Sequence, residues 1–215
     1  MKRFIVLLAF VPVMTSFAFS QRVVQKNYDV HGKKVEMKFN FADTILVEAW
    51  DKNTLEVQVS VNIENNIYNN DFQLNADESG NKLELIEKVD FKNVQSKSKD
   101  NDKLKSVINY KLKVPAQLEF DLKTISGNVE LKGNLGKMCI NSISGFIDCM
   151  LPKSHSANID LSTVTGNVYS DLKFEEKSPE KMSWVGTTRE LNLNGGKVAV
   201  DLKTVSGDIF LREGR

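Results

Sequence analysis

The chain has 215 residues, and its 29 basic residues balance 28 acidic ones to a formal net charge of +1. This balance argues against a nucleic-acid partner, because nucleic-acid binding needs a basic face that releases counterions from phosphate. A composition rich in Val, Ile, Leu and Asn, with only 4 Pro, favours a folded β-protein over a disordered chain.

The first predicted element is a secretory signal peptide at residues 1–20. A short basic start is followed by an apolar run, and the segment ends in AFS, a small-residue cleavage pattern. The alternative is an uncleaved membrane anchor, for which the apolar run is short. No later segment is apolar enough to cross a membrane. The mature protein is therefore expected to begin at Gln21 and to be exported to the periplasm, the outer surface or the medium.

Residues 21–115 are predicted to form a less regular β region. Apolar alternation marks five strands with the sequences KVEMKFNF, TILVEAW, LEVQVSVNI, NKLELIE and SVINYKLKV. The first strand places Phe39 and Phe41 on the same buried face. Residues 90–103 are hydrophilic and are predicted to form a long loop. The region either forms the first, wider coils of the structure that follows or caps one end of it as a small sheet.

Residues 116–215 repeat one phrase. DLKTISGNVEL at 121–131 returns as DLSTVTGNVYS at 160–170 and as DLKTVSGDIFL at 201–211. Aligned copies share a glycine at steps of 18, 21, 20 and 21 residues, and these structural repeat glycines are Gly127, Gly145, Gly166, Gly186 and Gly207. A period near twenty is typical of units that bury their apolar faces only by stacking. The repeats therefore predict a β-solenoid in which each coil stacks on the one before it.

The aligned columns predict which side chains face the core. Apolar residues recur seven, five and two positions before the glycine and two positions after it. The column two positions before the glycine is predicted to be buried, and it contains Ile125, Ile143, Val164, Trp184 and Val205. A hydroxyl stands three positions before each glycine and is interpreted as a structural ladder, at Thr124, Ser142, Thr163, Ser183 and Thr204. The fourth repeat is the weakest match, so a bulge or register slip is expected over residues 174–194.

Two outward features are candidate binding sites. The acidic residues of one column form a tentative surface stripe, namely Asp121, Asp160, Glu180 and Asp201. They would either share a cation between coils about 4.8 Å apart or form a solvated face balanced by lysines. The solvated face is the favoured interpretation, so no metal site is predicted. The outward aromatic residues Phe146, Tyr169 and Phe210 would either stack on sugars or be ordinary exposed aromatics.

The sequence offers no recognisable catalytic constellation. His31 and His155 are the only histidines and lie in unlike contexts, and no Ser-His-Asp set, zinc spacing or phosphate loop can be assembled. Cys139 and Cys149 suggest a disulfide in an exported chain. Their columns point to opposite faces, however, which favours a free, buried Cys149 thiol. We expect no catalytic residue, no cofactor and no metal, and hence no enzyme.

The segments ILVEAWDKNTLEVQVSV, YKLKVPAQLEFDLKTISGNVEL and TVSGDI resemble a family of exported bacterial proteins labelled putative adhesins. The resemblance implies a right-handed, single-chain β-solenoid at the envelope or cell surface, without catalytic residues. The expected function is that of an adhesin-like binding module for an unknown protein or glycan at the cell surface. The alternatives are a structural or signalling accessory protein of the envelope and, less favoured, a glycan-active β-helix enzyme.

Overall fold

The computed structural model describes residues 21–97, 104–176 and 186–214. The predicted signal peptide at residues 1–20 lies outside this part of the chain, as do Glu180 and Trp184 of the fourth repeat. The described residues form seventeen β-strands, one α-helix and one short 3-10 helix. The all-β class predicted from the sequence is confirmed.

The N-terminal region contains the first seven strands. They are β1 (Arg22–Asp29), β2 (Lys34–Lys38), β3 (Thr44–Trp50), β4 (Thr54–Ile63), β5 (Phe72–Ser79), β6 (Lys82–Val89) and β7 (Ser106–Pro115), with α1 (Phe91–Lys97) between β6 and β7 and the 3-10 helix (Asn69–Asp71) before β5. The sequence predicted five of these strands and missed β1 and β5. Residues 90–103 were predicted as a loop, but their first part is α1. Asp90 accepts a hydrogen bond from the Asn93 N–H at the start of α1, and Val94 is fully buried.

The repeat region contains the remaining ten strands. They are β8 (Phe120–Thr124), β9 (Asn128–Lys132), β10 (Met138–Ser144), β11 (Ile147–Pro152), β12 (Ala157–Thr165), β13 (Val168–Ser170), β14 (Glu175–Glu176), β15 (Thr187–Leu193), β16 (Val198–Ser206) and β17 (Ile209–Gly214). In the first, second, third and fifth repeats, one strand precedes the glycine and a second strand follows it.

The strands are divided between two mixed sheets. Sheet A has the order β1-β4-β7-β3-β9-β11-β17-β13, and sheet B has the order β14-β15-β12-β16-β10-β8-β2-β6-β5. The middle strands of both sheets are parallel, and the antiparallel pairs lie toward their ends. In the first, second, third and fifth repeats, the strand before the glycine belongs to sheet B, and the strand after the glycine belongs to sheet A. The apolar faces of both sheets form one hydrophobic cluster.

The N-terminal region continues the sheets of the repeat region. β2 pairs with β8 in sheet B, and β3 pairs with β9 in sheet A, both in parallel. Buried residues of both regions belong to the same cluster. Residues 21–115 therefore share both sheets and one core with the repeat region.

The last repeat does not stack on the end of the preceding ones. β16 pairs with β10 on one side and with β12 on the other, so Val200 lies between Met138 and Ile159. β17 likewise lies between β11 and β13. The spatial order of the repeats is thus first, second, fifth and third, and the predicted stacking in chain order is wrong at this point.

The close backbone contacts between the repeat glycines follow the same spatial order of the repeats. A Cβ atom built on Gly166 would lie 2.0 Å from the Gly207 carbonyl oxygen, and one built on Gly207 would lie 2.1 Å from the Gly145 oxygen. A Cβ atom on Gly145 would in turn lie 2.8 Å from the Gly127 oxygen. Each backbone therefore occupies the space that a side chain on its neighbour would need, and only glycine fits.

The fourth repeat departs from the others. The strand after its glycine, β15, runs antiparallel to β12 in sheet B, whereas the strand after every other repeat glycine lies in sheet A. Gly186 approaches the Thr163 carbonyl instead of another repeat glycine. Its assignment as an equivalent repeat glycine is therefore corrected. The sequence predicts an irregularity over residues 174–194, because the fourth repeat is the weakest match to the pattern.

One predicted core column is wrong. The described residues two positions before the glycine are exposed. Ile143 is 53% exposed and Val205 is 47% exposed, and Ile125 and Val164 of the same column are also exposed. The hydroxyl residue before each of them, such as Ser142, points inward instead. Phe41 is also partly exposed, because β2 ends at Lys38 and the chain turns before reaching it.

Candidate ligand-binding surface

The corner between the sheets is built by hydroxyl groups that bond to backbone. Thr163 Oγ1 donates to the Gly207 carbonyl at 2.9 Å, and Thr204 Oγ1 donates to the Gly145 carbonyl at 3.4 Å. Ser142 Oγ donates to the Ser144 carbonyl at 2.9 Å. These hydroxyls are buried and satisfy carbonyl groups that the turn removes from the strand ladder. These hydrogen bonds hold the corner in place, as the predicted structural ladder requires.

Three aromatic side chains gather on the outer face of sheet A. The rings of Tyr169 and Phe210 are stacked, with centroids 5.3 Å apart and planes 15° from parallel. Phe146 meets Phe210 edge-on at a centroid distance of 6.2 Å. Phe210 belongs to β17, so it reaches both other rings only because β17 lies between the second and third repeats. We call Phe146, Phe210 and Tyr169, with Asp148 and Arg212, the aromatic surface.

Asp148 and Arg212 form the polar part of the aromatic surface. The Arg212 guanidinium lies 5.0 Å from the Phe210 ring centre and 3.2 Å from Asp148 Oδ2. Asp148 is only 5% exposed, and its Oδ1 atom has no hydrogen-bond partner. Burial raises the pKa of the Asp148 carboxyl, while the Arg212 charge opposes that shift. The buried carboxylate holds the guanidinium against the ring.

Two depressions meet at Tyr169, which is 49% exposed. One, of about 270 Å³, lies on the outer face and is lined by Tyr169, Phe210, Asp171 and Arg212, among others. The other, of about 390 Å³, lies at the edge of β13 and is also lined by Thr187 of β15. Tyr169 therefore forms a wall of both depressions.

The predicted acidic stripe is present on the outer face of sheet B, but its order differs from the prediction. Cys139 lies between Asp121 and Asp201, and Asp201 is directly beside Asp160. Asp121 pairs with Lys34 at 2.7 Å, and Asp201 pairs with Lys203 at 2.7 Å. Glu180 lies outside the described residues. Among the residues that the structure describes, no three His, Cys, Asp or Glu side chains are placed to hold a metal ion.

The cysteines and histidines are not assembled into a reactive site. Both cysteines are free, with Cys149 buried in sheet A and Cys139 on the outer face of sheet B. Burial raises the pKa of the Cys149 thiol to about 12, which keeps it protonated. His155 is buried with Nδ1 2.7 Å from Asn134 Oδ1, and burial lowers its pKa. His31 lies in an exposed turn.

A buried carboxyl in the N-terminal region was missed by the sequence reasoning. Glu87 of β6 is 3% exposed, and its Oε2 atom accepts a hydrogen bond from the Phe41 N–H at 3.0 Å. Its Oε1 atom and the Tyr110 hydroxyl are buried without partners. Burial raises the pKa of Glu87 to about 7, and the nearby charge of Asp43 adds to the shift. In the sequence, Glu87 falls on the same alternate positions as the buried Leu83 and Leu85, and only its charge hides this inward position.

The sequence identified the three aromatic residues of the aromatic surface but not Asp148 or Arg212. Asp148 follows an inward residue in a strand, so alternation placed it outward with the solvated charges. Its burial arises because Phe146 and Phe210 flank it from the neighbouring turn and strand. No signal in the isolated repeat could show this, because the neighbouring strand comes from a segment about sixty residues away.

Comparison with known proteins finds a family model that matches part of the chain and a solved structure with a similar fold. Residues 111–212 match the family model of the Toastrack domain DUF4097. A putative cell adhesion protein from Clostridium sporogenes has a similar fold, with a TM-score of 0.51 at 14% identity over 90% of this chain and 100% of that one. No curated protein matches the sequence.

Two further solved structures are less similar. A putative adhesin from Parabacteroides merdae gives a TM-score of 0.30 at 15% identity, over 69% of this chain and 53% of that one. A putative adhesin from Bacteroides fragilis gives 0.24 at 12% identity, over 90% and 98%. No helix in the described ranges is both long enough and apolar enough to cross a membrane.

Proposed function

We propose that the protein is an exported, non-enzymatic binding module of the cell surface or envelope, similar in role to an adhesin. The observation that carries the proposal is the aromatic surface, where the exposed Tyr169 ring stacks on Phe210 beside Phe146 and the Arg212–Asp148 ion pair on the outer face of sheet A. Exposed aromatic clusters beside fixed polar groups are typical of recognition sites. The name of the Clostridium sporogenes structure is consistent with this role.

The proposal includes export and the solenoid description of the repeat region. Residues 1–20 act as a cleaved signal peptide, and the repeat region is a right-handed β-solenoid whose fifth repeat is inserted between the second and third. Expression from its own start codon in a bacterial host tests export. We expect a product outside the cytoplasm whose N-terminal residue is Gln21, and an intact N-terminus in the cytoplasm would contradict it.

Binding is tested with fluorescently labelled protein on bacterial and epithelial cells. We expect the double variant Phe210→Ala, Tyr169→Ala to lose at least about fivefold in cell-bound signal, because exposed aromatics dominate such contacts. Phe41→Ala is the matched control, since Phe41 is also a partly exposed aromatic but lies in the N-terminal region. Equal binding by the double variant and the wild type would contradict the proposal.

A second candidate function is that of an envelope accessory protein. It is favoured by the exposed aliphatic column at the corner, formed by Ile125, Ile143, Val164 and Val205 on adjacent strands. Such a column suits a protein partner. Affinity purification from envelope extracts tests this function, with Ile143→Asp as the control variant. Recovery of the same partners by the wild type and by Ile143→Asp would contradict the accessory function.

The absence of catalysis is also part of the proposal. The buried Glu87 is enclosed by the fold, and the Asp148 carboxylate is held by Arg212, so neither side chain is placed as an exposed general acid or base. Incubation with a panel of polysaccharides should release no products. Release of reducing ends by the purified protein would contradict this part.

A further inference from the structure

We infer that the ligand of the aromatic surface is a neutral saccharide that stacks on the free face of the Tyr169 ring. This inference rests on the proposed function, because it names the chemical class of ligand for the same surface. Four features of the described residues support it, and they concern the ring, the strand edge, the size of the depressions and the charge.

The ring of Tyr169 has one occupied face and one open face. Phe210 covers one face, with the two planes 15° apart and the centroids 5.3 Å apart. In sheet A, β13 is the last strand among the described residues, so no neighbouring strand covers the other face. An aromatic face binds flat, weakly polar surfaces such as the C–H face of a pyranose ring. A sugar placed there would extend an existing stack by one member.

The strand edge offers hydrogen bonds beside that ring. The Ile209 N–H donates to the Asn167 carbonyl at 2.9 Å, and the Asp171 N–H donates to the Leu211 carbonyl at 3.2 Å. Alternate residues of a parallel strand direct their backbone groups to opposite sides. The N–H and C=O groups of Val168 and Ser170 therefore face the free edge, where they are suited to sugar hydroxyls, which both donate and accept.

The size and lining of the depressions suit one or two sugar rings. Their volumes of about 270 Å³ and 390 Å³ lie just below and just above the lower limit for small-molecule sites. The linings combine the Tyr169 and Phe210 rings with the Ser170 and Thr187 hydroxyls. This mixture of ring faces and small polar groups is more suitable for a saccharide than for the broad apolar core of a protein interface.

The charges at the outer depression disfavour an anionic ligand. Arg212 already pairs with the Asp148 carboxylate, and Asp171 lines the same depression. Asp208 adds negative charge in the turn before β17. An acidic sugar or an acidic peptide would therefore meet carboxylates. A neutral saccharide incurs no such repulsion.

The direct test is titration of isotope-labelled protein with chitotetraose, cellotetraose, maltotetraose and mannotetraose, followed by amide NMR shifts. We expect at least one of these probes, at millimolar concentration, to shift the Tyr169, Ser170 and Phe210 resonances. Tyr169→Ala should weaken that binding about tenfold, whereas Tyr169→Phe, which keeps the ring, should retain it. Phe41→Ala is the control for nonspecific aromatic effects. Absence of shifts with all four probes, or unchanged affinity in Tyr169→Ala, would overturn the inference.

A second measurement separates this inference from the proposed function. Cells are treated with periodate, which cleaves vicinal diols of glycans, or with protease, before the labelled protein is added. Loss of binding after periodate alone supports the saccharide. Binding that survives periodate but is lost after protease overturns the saccharide and leaves the binding function standing. If no cell binding is seen but an oligosaccharide still shifts Tyr169, the saccharide assignment stands and the cell-surface function fails.

Discussion

The repeat region and the N-terminal region place different side chains at the inward corner position of sheet B. In the repeat region, the inward position at the corner of sheet B is a hydroxyl that donates to a neighbouring carbonyl, as Thr163 does to Gly207. Following the same register into the N-terminal region leads to Phe39, which directly follows β2, and then to Glu87 on β6. Glu87 has one oxygen without a partner. Repetition supplies identical partners from adjacent strands, whereas the irregular region leaves one oxygen of a buried carboxyl without a partner.

The largest expected effect comes from the glycine column. In Gly166→Ala the new methyl group would lie 2.0 Å from the Gly207 carbonyl oxygen, so the strands of the third and fifth repeats must separate. We expect a loss of about 3 kcal/mol or more in unfolding free energy, measured by urea denaturation. Gly32→Ala in the N-terminal region is the matched control, because nothing lies within 4 Å of its Cβ position. Its positive φ alone should cost about 1 kcal/mol. Equal losses in both variants would remove the distinction between the regions.

The next effect concerns Glu87, whose pKa of about 7 in the folded state exceeds the ordinary value of 4.5. The folded protein therefore holds an extra proton between these two values, and the stability from protonated Glu87 is lost as the pH rises through about 7. In Glu87→Gln no proton is released. We expect the variant to gain up to about 3 kcal/mol over the wild type between about pH 4 and about pH 8.

Unfolding curves at several pH values check the Glu87 prediction. A difference between the two proteins that does not vary with pH would show that Glu87 titrates normally. Glu84→Gln on the same strand is a useful control, because Glu84 is paired with Lys38 at the surface and its pKa is lowered by that contact. It should show no gain with rising pH.

A smaller effect is expected for the hydroxyl column. Thr163→Val keeps the shape of the side chain but removes the donor to the Gly207 carbonyl. We expect a loss of about 1–2 kcal/mol, because the carbonyl stays buried without that donor. Thr165→Val is the control, since the Thr165 hydroxyl is exposed. Thermal unfolding of both variants provides the comparison, and equal losses would contradict a specific function of the buried hydroxyl.

The smallest effect tests the corrected core column. Ile143 is 53% exposed, so Ile143→Ala should change the unfolding free energy by less than about 1 kcal/mol. Ile140, three residues earlier on β10, is fully buried, and Ile140→Ala should cost about 2–5 kcal/mol. Similar costs for the two variants would mean that Ile143 is buried after all.

The sequence predicted the features that depend on local alternation. The inward positions of Leu122, Ile140 and Leu202 follow from a period of two, and all three are buried. The corner was predicted incorrectly because hydrophobicity alone favours Ile143 over Ser142 for the interior. The structure prefers the hydroxyl there, since corner carbonyls need donors. That preference depends on the hydrogen bonds of the turn, and residue polarity does not reveal it.

The position of the last repeat could not be predicted from the repeat pattern. Because the repeats are nearly identical, a strand of the fifth repeat fits beside the second or the third equally well by sequence. The fourth repeat, which reverses direction in β15, takes the place that a regular coil would fill. Such long-range pairing sets which aromatic residues meet. The sequence therefore named Phe146, Tyr169 and Phe210 without showing that Phe210 lies between the other two.

The decisive measurement is a methyl NOE experiment on the folded protein, since both the fold and the binding surface require the fifth repeat to lie between the second and the third. Our structure predicts NOEs from the Val200 methyl groups to both Met138 and Ile159, with none joining Met138 to Ile159 directly. Direct contacts between Met138 and Ile159, with Val200 near only one of them, would show repeats stacked in chain order and would separate Phe210 from one of its two aromatic neighbours.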